Sequence, residues 1–240
     1  MATLSSDLPA EQPETLGDDL AGMASFFIDP QGAARRVHTK WFWVGPLAVY
    51  SIVGIAAGIL IMPIVQHVME IAPLPEGASP EQFQKGMAIG LTVQKVFVYL
   101  APITAGVMFA IQAVILLAMS SITGVGAKFR QLFNLAAGCG LISVLASIAT
   151  IVILKAKGEI STMAELRPAL GFDIFLPDSA NKYAVAFLGY FSVFEVWWIV
   201  MIVLILAAAF RISKGKAFIV VSPLVLLSLI WRVGAAAFQR

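Results

Sequence analysis

Charge is scarce in this sequence and thiol chemistry is almost absent. Of 240 residues, 16 are Lys or Arg and 14 are Asp or Glu, so only 12% carry charge, where a soluble domain carries about 25%. With 60% hydrophobic residues, too few polar side chains remain to cover a water-facing surface; a chain dissolved in lipid needs no such cover. The single cysteine, Cys139, excludes an intramolecular disulfide. It sits in an apolar stretch without charged neighbours that would activate its thiol, and reads as a small helix-packing residue. The two histidines, His38 and His67, flank the first long apolar run from opposite ends. They therefore face opposite sides of a membrane and cannot share a zinc or haem site. G-x-S-x-G, H-E-x-x-H and phosphate-binding glycine loops are missing, and Gly124-Val125-Gly126 reads as a turn. A net charge of +2 without a long basic run leaves no electrostatic footprint for nucleic acid. No catalytic residue, cofactor or metal is expected.

What the chain does have is five charge-poor apolar runs of the length, about 20 residues, that crosses a bilayer. They cover residues 42–66, 96–120, 131–154, 183–210 and 217–238. The fourth is interrupted only by Glu195, and the fifth contains Arg232 near its end, from where the guanidinium can reach the interface. Residues 1–22 are acidic, with Pro9 and Pro13, and read as a disordered tail rather than a signal peptide. The expected architecture is all-α: a five-helix membrane domain over residues 23–240 with an amino-terminal interfacial amphipathic segment.

The connections alternate. The proline-bearing links after the first and third runs are long, and those after the second and fourth are short. The chain after Pro80 reads as helix, so the second span begins well above the membrane. Eight basic residues fall on each side. Those on the amino-terminal side (Arg35, Arg36, Lys40, Lys128, Arg130, Arg211, Lys214 and Lys216) lie in much shorter loops, whereas Lys85, Lys95, Lys155, Lys157, Arg167, Lys182, Arg232 and Arg240 are spread over the other side. Density and the one-sided flank of the first span place the amino terminus in the cytoplasm and the carboxyl terminus outside. Residues 20–36 mix Leu20, Met23, Phe26 and Phe27 with Arg35 and Arg36. They either lie in the lipid interface or pack on the protein's own short loops.

Glu195 is the one acid inside a span. Counting back about 20 residues from Arg211, at about 1.5 Å each, puts Glu195 about 6 Å inside the outer boundary, among Tyr190, Trp197 and Trp198. A carboxylate there pairs or reaches water; Lys95, at the outer end of the second span, is the candidate partner. Gln112 lies within the second span, where hydrogen bonding to another helix is the expected role. Small-xxx-small pairs at Gly54/Gly58, Gly106/Ala110 and Ala136/Gly140 let helix backbones approach closely. Pro46, Pro102 and Pro223 sit inside or at the edges of spans and can kink them.

Several ordered motifs resemble the Yip1 domain family of five-span membrane proteins. Phe26-Phe27-Ile28-Asp29-Pro30 is similar to the element before the first span, and Trp41 to Leu47, with Gly45-Pro46, to its aromatic-rich entry. Lys128 to Phe133 resembles the basic entry to span three. Phe191 to Trp198, holding Phe194 and Trp197, resembles the Phe-x-x-Trp element, and Ser213-Lys214-Gly215-Lys216-Ala217 follows it. The resemblance implies a five-helix domain from about residue 24 and supplies no catalytic residue. Eukaryotic relatives bind Rab-type GTPases through a long cytosolic region. Here the tail has only about 40 residues and Asp-Leu-Tyr before Gly-Pro is absent, so Rab-type GTPase binding is not inferred. The chain resembles the shorter bacterial type, which implies a bacterial inner-membrane location. The expected function is a non-catalytic membrane scaffold or adaptor for an export, envelope or trafficking assembly, contacting membrane lipids and a membrane-protein partner or a second copy. The alternative is a small transporter or permease subunit for a lipid or apolar solute, which Glu195, Gln112 and the proline-bearing spans motivate.

Overall fold

A peptide group inside a bilayer has no water to bond, so each apolar run must close its own hydrogen bonds as helix. The computed structural model describes residues 16–72, 79–162, 165–166, 168–177 and 179–238. The acidic tail up to residue 15, Pro73, Pro75 and Gly77 of the first long loop, and Arg167 and Arg240 lie outside these residues. The helices are α1 (Leu16–Ile28), α2 (Pro30–Val37), α3 (Val44–Ile71), α4 (Pro80–Tyr99), α5 (Ala101–Ile122), α6 (Phe129–Lys157), α7 (Lys182–Tyr190), α8 (Val193–Phe210) and α9 (Lys214–Ala235). Helices α3, α5, α6, α8 and α9 are long and apolar enough to cross a membrane. The chain is all-α with five candidate spans.

Three boundaries differ from the sequence expectation. Helix α1 starts at Leu16, so the last residues of the segment assigned to a disordered tail are helical; they gain a packing partner that composition does not reveal. The second run is broken at Leu100, because Pro102 in the first turn of α5 has no N–H to continue the ladder of α4. The fourth run is two helices, α7 and α8, separated by Phe191 and Ser192. Ser192 stops the helix by capping the next one: its Oγ accepts the Glu195 N–H at 3.1 Å. Ser192-Val193-Phe194-Glu195 carries the S-x-x-E signature of a helix start, which a search for apolar run length passes over.

Helix α6 is the centre of the bundle. It packs on α3, α5 and α8, while α9 closes against α5 and α8. Residues 134–142 of α6 are buried on every side. Ala136, Ala137, Gly138 and Gly140 in this stretch let several neighbours approach at once. The α8–α9 turn is made by Arg211 in the left-handed conformation (φ 53°), a helix-ending geometry that glycine usually supplies.

Helices α1 and α2 form an antiparallel hairpin. Asp29 sets its tip: Oδ1 accepts the Gln31 N–H at 3.1 Å, and Pro30 takes the first position of α2. Residues 20–36 pack on the protein itself, against helices α6 and α8, with Val125 and Ala127 of the α5–α6 loop in the same apolar cluster. Phe26, Ala33 and Val37 are fully buried, whereas Leu20 and Ile28 stay exposed. The Trp197 indole donates to the Phe27 carbonyl at 2.9 Å, and His38 Nε2 meets the Ala209 carbonyl at 3.1 Å. These anchors are twelve residues apart on α8, about 18 Å of helix, so the hairpin backs much of that span. Gln131 fixes the histidine tautomer. Its Oε1 accepts the Lys128 N–H at 2.8 Å, which turns its amide nitrogen to donate to His38 Nδ1 at 2.8 Å. His38 Nε2 therefore carries the proton given to Ala209.

Candidate functional site: a cavity among the spans

Helices α6 and α9 stand across from one another, joined on either side by α5 and α8. Between them is a cavity of about 650 Å³, whose lining includes Gln112 of α5, Ser143 of α6, Glu195 and Trp198 of α8, and Leu224 and Ser228 of α9. This falls within the range of about 300–1,000 Å³ typical of small-molecule sites. The structure thus brings Gln112 and Glu195 to one space. Gln112 Oε1 is buried and accepts no hydrogen bond among the described residues.

Lys95 is not part of this site. It is exposed on α4, which packs only on α3 and α5, away from α8. The groups near Glu195 are instead the Tyr190 hydroxyl and the charge of Arg232. Arg232 belongs to α9, the direct neighbour of α8, and the α7–α8 break turns Tyr190 toward the same place. The Tyr190 hydroxyl also bonds Ser228 Oγ at 2.7 Å and donates to the Val225 carbonyl at 3.3 Å. Asp173, in the 3-10 turn Phe172–Phe175, completes this polar layer. A Cβ at Gly189 would lie 2.9 Å from Asp173 Oδ2 and 3.1 Å from Arg232 Nη2, so the missing side chain leaves room for both charges. The loop also serves the break itself, since the Val193 N–H reaches the Leu170 carbonyl at 3.4 Å.

The small residues divide. Gly58 lies against Val98 of α4, where an added Cβ would come within 2.5 Å, and Gly54 faces Ala101 at 3.8 Å. Gly140 receives the Phe109 ring, 2.7 Å from where its Cβ would be. Ala136 is fully buried beside Ala105 and Phe109. Gly106 does not mediate an approach: nothing lies within 4 Å of its Cβ position. The contact stripe of α5 is Ala105, Phe109, Ala113, Leu116 and Ser120. Gly106 and Ala110 are each one residue on, turned about 100° around the helix from that stripe. Small size alone selected the wrong face.

Among the family-motif residues, Asp29 and Pro30 form the tip of the hairpin, and Trp197 holds the hairpin through the Phe27 carbonyl. Gly45 sits under Met23, whose Sδ is 3.2 Å from its Cβ position. Pro46 is buried and Phe194 packs against the main core. The Lys216 N–H completes the Ser213 cap of α9 at 3.2 Å, while Gly215 faces open space.

One residue the sequence reading passed over is Asn134, which is fully buried. Its Oδ1 accepts the Trp43 N–H at 3.1 Å. Its Nδ2 donates to the Val37 and Thr39 carbonyls at 3.1 and 2.6 Å. The link from α2 to α3 is thereby fastened to α6. A lone amide in the run Leu132-Phe133-Asn134-Leu135-Ala136 was the available signal, weaker than a charge because amides are common near span ends.

No match was found among curated proteins or among solved structures. The model of the Yip1 domain matches residues 24–234, from within α1 to the last turn of α9 and across the hairpin, the cavity and the α7–α8 break; the chain belongs to the Yip1 domain family.

Proposed function

We propose that this Yip1 family membrane protein is a non-catalytic scaffold or adaptor that supports an export, envelope or trafficking assembly through lateral contacts. Helix α4 carries the reading. It has no buried residue along its length and holds to the bundle only through α3 and α5. Ile89, Val93, Val96 and Phe97 are exposed on it beside the exposed Lys85 and Lys95. Helix α4 is not among the five spans, and an exposed helix outside them that mixes apolar and charged groups fits the side of another membrane protein or of a second copy. The denser basic residues of the short loops support a cytoplasmic amino terminus and an outer carboxyl terminus in a bacterial inner membrane. The test places a photo-crosslinking residue at Ile89 or Val93, with Phe218 and Ile219 of α9 as exposed controls. Protein adducts are expected at the α4 positions alone, matching a partner recovered by co-purification in native lipid. Lipid adducts at all four positions, with no protein adduct, would end this reading.

A second reading, a small carrier for a lipid or apolar solute, draws on the cavity, because Gln112 and Glu195 share it beside a broken span. Glu195→Gln and Gln112→Leu are each expected to weaken uptake of a fluorescent lipid analogue into proteoliposomes at least several-fold. Uptake equal to the parent protein in both variants would remove the carrier reading.

A further inference from the structure

We infer that the 3-10 turn Phe172–Phe175 sits inside the lipid leaflet at the start of α8, with phospholipid acyl chains filling the groove between this turn and α8. Three observations carry the inference. The first is that the turn is inside out. Phe172, Ile174 and Phe175 are exposed, Phe175 at 81%. Asp173, the polar residue among them, is half-buried. Its Oδ1 accepts the Gly171 N–H at 3.1 Å, and its Oδ2 lies beside Gly189. A loop in water turns its polar groups outward; large apolar side chains clustered on a surface mark a contact with lipid or protein.

The second is depth. The Val193 N–H meets the Leu170 carbonyl at 3.4 Å, which ties the segment to the first residue of α8. That span has 18 residues, about 27 Å at about 1.5 Å each, slightly less than a hydrocarbon core of about 30 Å. With the exposed Arg211 at the headgroups of one side, hydrocarbon reaches Val193 at the other. The third is continuity. The exposed residues of α8 are Val193, Val196 and Val200, one stripe at helical spacing, which on a span is the side turned to lipid. Val193 and Val196 also line the groove, of about 580 Å³, together with Leu170, Phe172, Phe175 and Phe191. The groove therefore continues the lipid-facing stripe of α8. Exposed Phe187 of α7 extends the same surface through the Phe191 ring, 5.5 Å away between centroids. Every residue lining the groove is apolar. It offers a protein partner no side-chain hydrogen bond to fix its position, and acyl chains need none.

Nitroxide labels on introduced cysteines test this in the full-length protein in phosphatidylcholine nanodiscs. The native Cys139 is fully buried, and the parent protein serves as the blank. Phe172→Cys and Phe175→Cys report on the turn and Val196→Cys on the groove. Val200→Cys is the lipid control, and Glu159→Cys, exposed in the link after α6, is the water control. Power saturation of the spin signal compares collisions with oxygen, which concentrates in hydrocarbon, and with a nickel chelate, which stays in water. The oxygen-to-nickel ratio at all three test positions is expected to match Val200 and to exceed Glu159 severalfold, in variants whose melting temperatures match the parent. A ratio at Phe172 and Phe175 equal to that at Glu159 would put the turn in water and overturn the inference. Protection from both reagents at the three positions would mean that protein covers the patch, which overturns it equally. A lipid-like turn with a water-like Val196 would show that acyl chains do not fill the groove.

Discussion

Replacing Gly138 with alanine should destabilise this protein by about 1–3 kcal/mol, although alanine is the better helix former by about 1 kcal/mol. The reason is Phe26. A Cβ at Gly138 would run into the Phe26 ring, and that ring has no room to yield. It is fully buried and stacked on Phe42 with centroids 5.1 Å apart. Phe26 is the deepest large side chain that the hairpin contributes to the bundle, so moving it loosens the attachment of α1 and α2 to α6. Phe26→Ala removes the ring instead and should cost about 3–5 kcal/mol. The decisive measurement is the double variant. With the ring gone, Gly138→Ala meets no obstacle and should cost little, a strong departure from additivity. Equilibrium unfolding of the four proteins in micelles gives this comparison. A penalty for Gly138→Ala that stays the same with and without Phe26 would show that the hairpin does not depend on this seat.

Asn134→Asp should be at least as damaging as Asn134→Leu, although aspartate keeps the size and shape of the side chain. The leucine variant leaves the Trp43 N–H and the Val37 and Thr39 carbonyls without their common partner, at about 1–3 kcal/mol for each buried group so stranded. The aspartate variant keeps the acceptor for Trp43 but turns the amide nitrogen, which now donates 3.1 and 2.6 Å bonds to two carbonyls, into an oxygen facing them. That oxygen is charged unless it takes up a proton, and a buried unpaired charge is worse than a buried unpaired dipole. Melting temperatures of Asn134→Leu, Asn134→Asp and the parent in one detergent rank the effects. An aspartate variant as stable as the parent would mean that Nδ2 is not the donor that holds the α2–α3 link.

Much of the bundle is legible in the residues one by one. Run length marked five spans because a helix is the only open-chain way to carry backbone through lipid. Asp29-Pro30, noted in the sequence only for its resemblance to a family element, is the cap and first position of α2 and forms the tip of the hairpin. The two internal breaks were also written locally: Pro102 stood out as able to kink its span, whereas a reading tuned to apolar length smoothed over the Ser192–Glu195 cap. The site residues were harder. Gln112 and Glu195 stood out as polar groups in apolar runs, yet nothing in their spacing showed that they face one space. Lys95 seemed a fair partner for Glu195 by depth alone; depth fixes how far along a span a group lies, not which neighbour stands beside it. The choice of Gly106 over Ala105 failed for the same reason, by a rotation of about 100°.

The sequence by itself therefore determined the number of spans, the all-α class and the alternation of short and long loops, because these depend only on local hydrophobicity and backbone hydrogen bonding. The tertiary structure decided the rotation of each helix about its axis and the order in which the helices stand side by side. On those depended the seat of Phe26 on Gly138, the three bonds of Asn134, the placing of Glu195 near Tyr190 and Arg232, and the cavity that Gln112 helps to line. In a soluble helix an apolar stripe against a polar face announces which side turns inward. Here lipid and protein interior are equally apolar, so a span such as α8 is hydrophobic on nearly every side. Only packing against its neighbours, through small residues and a few hydrogen bonds, selects the face.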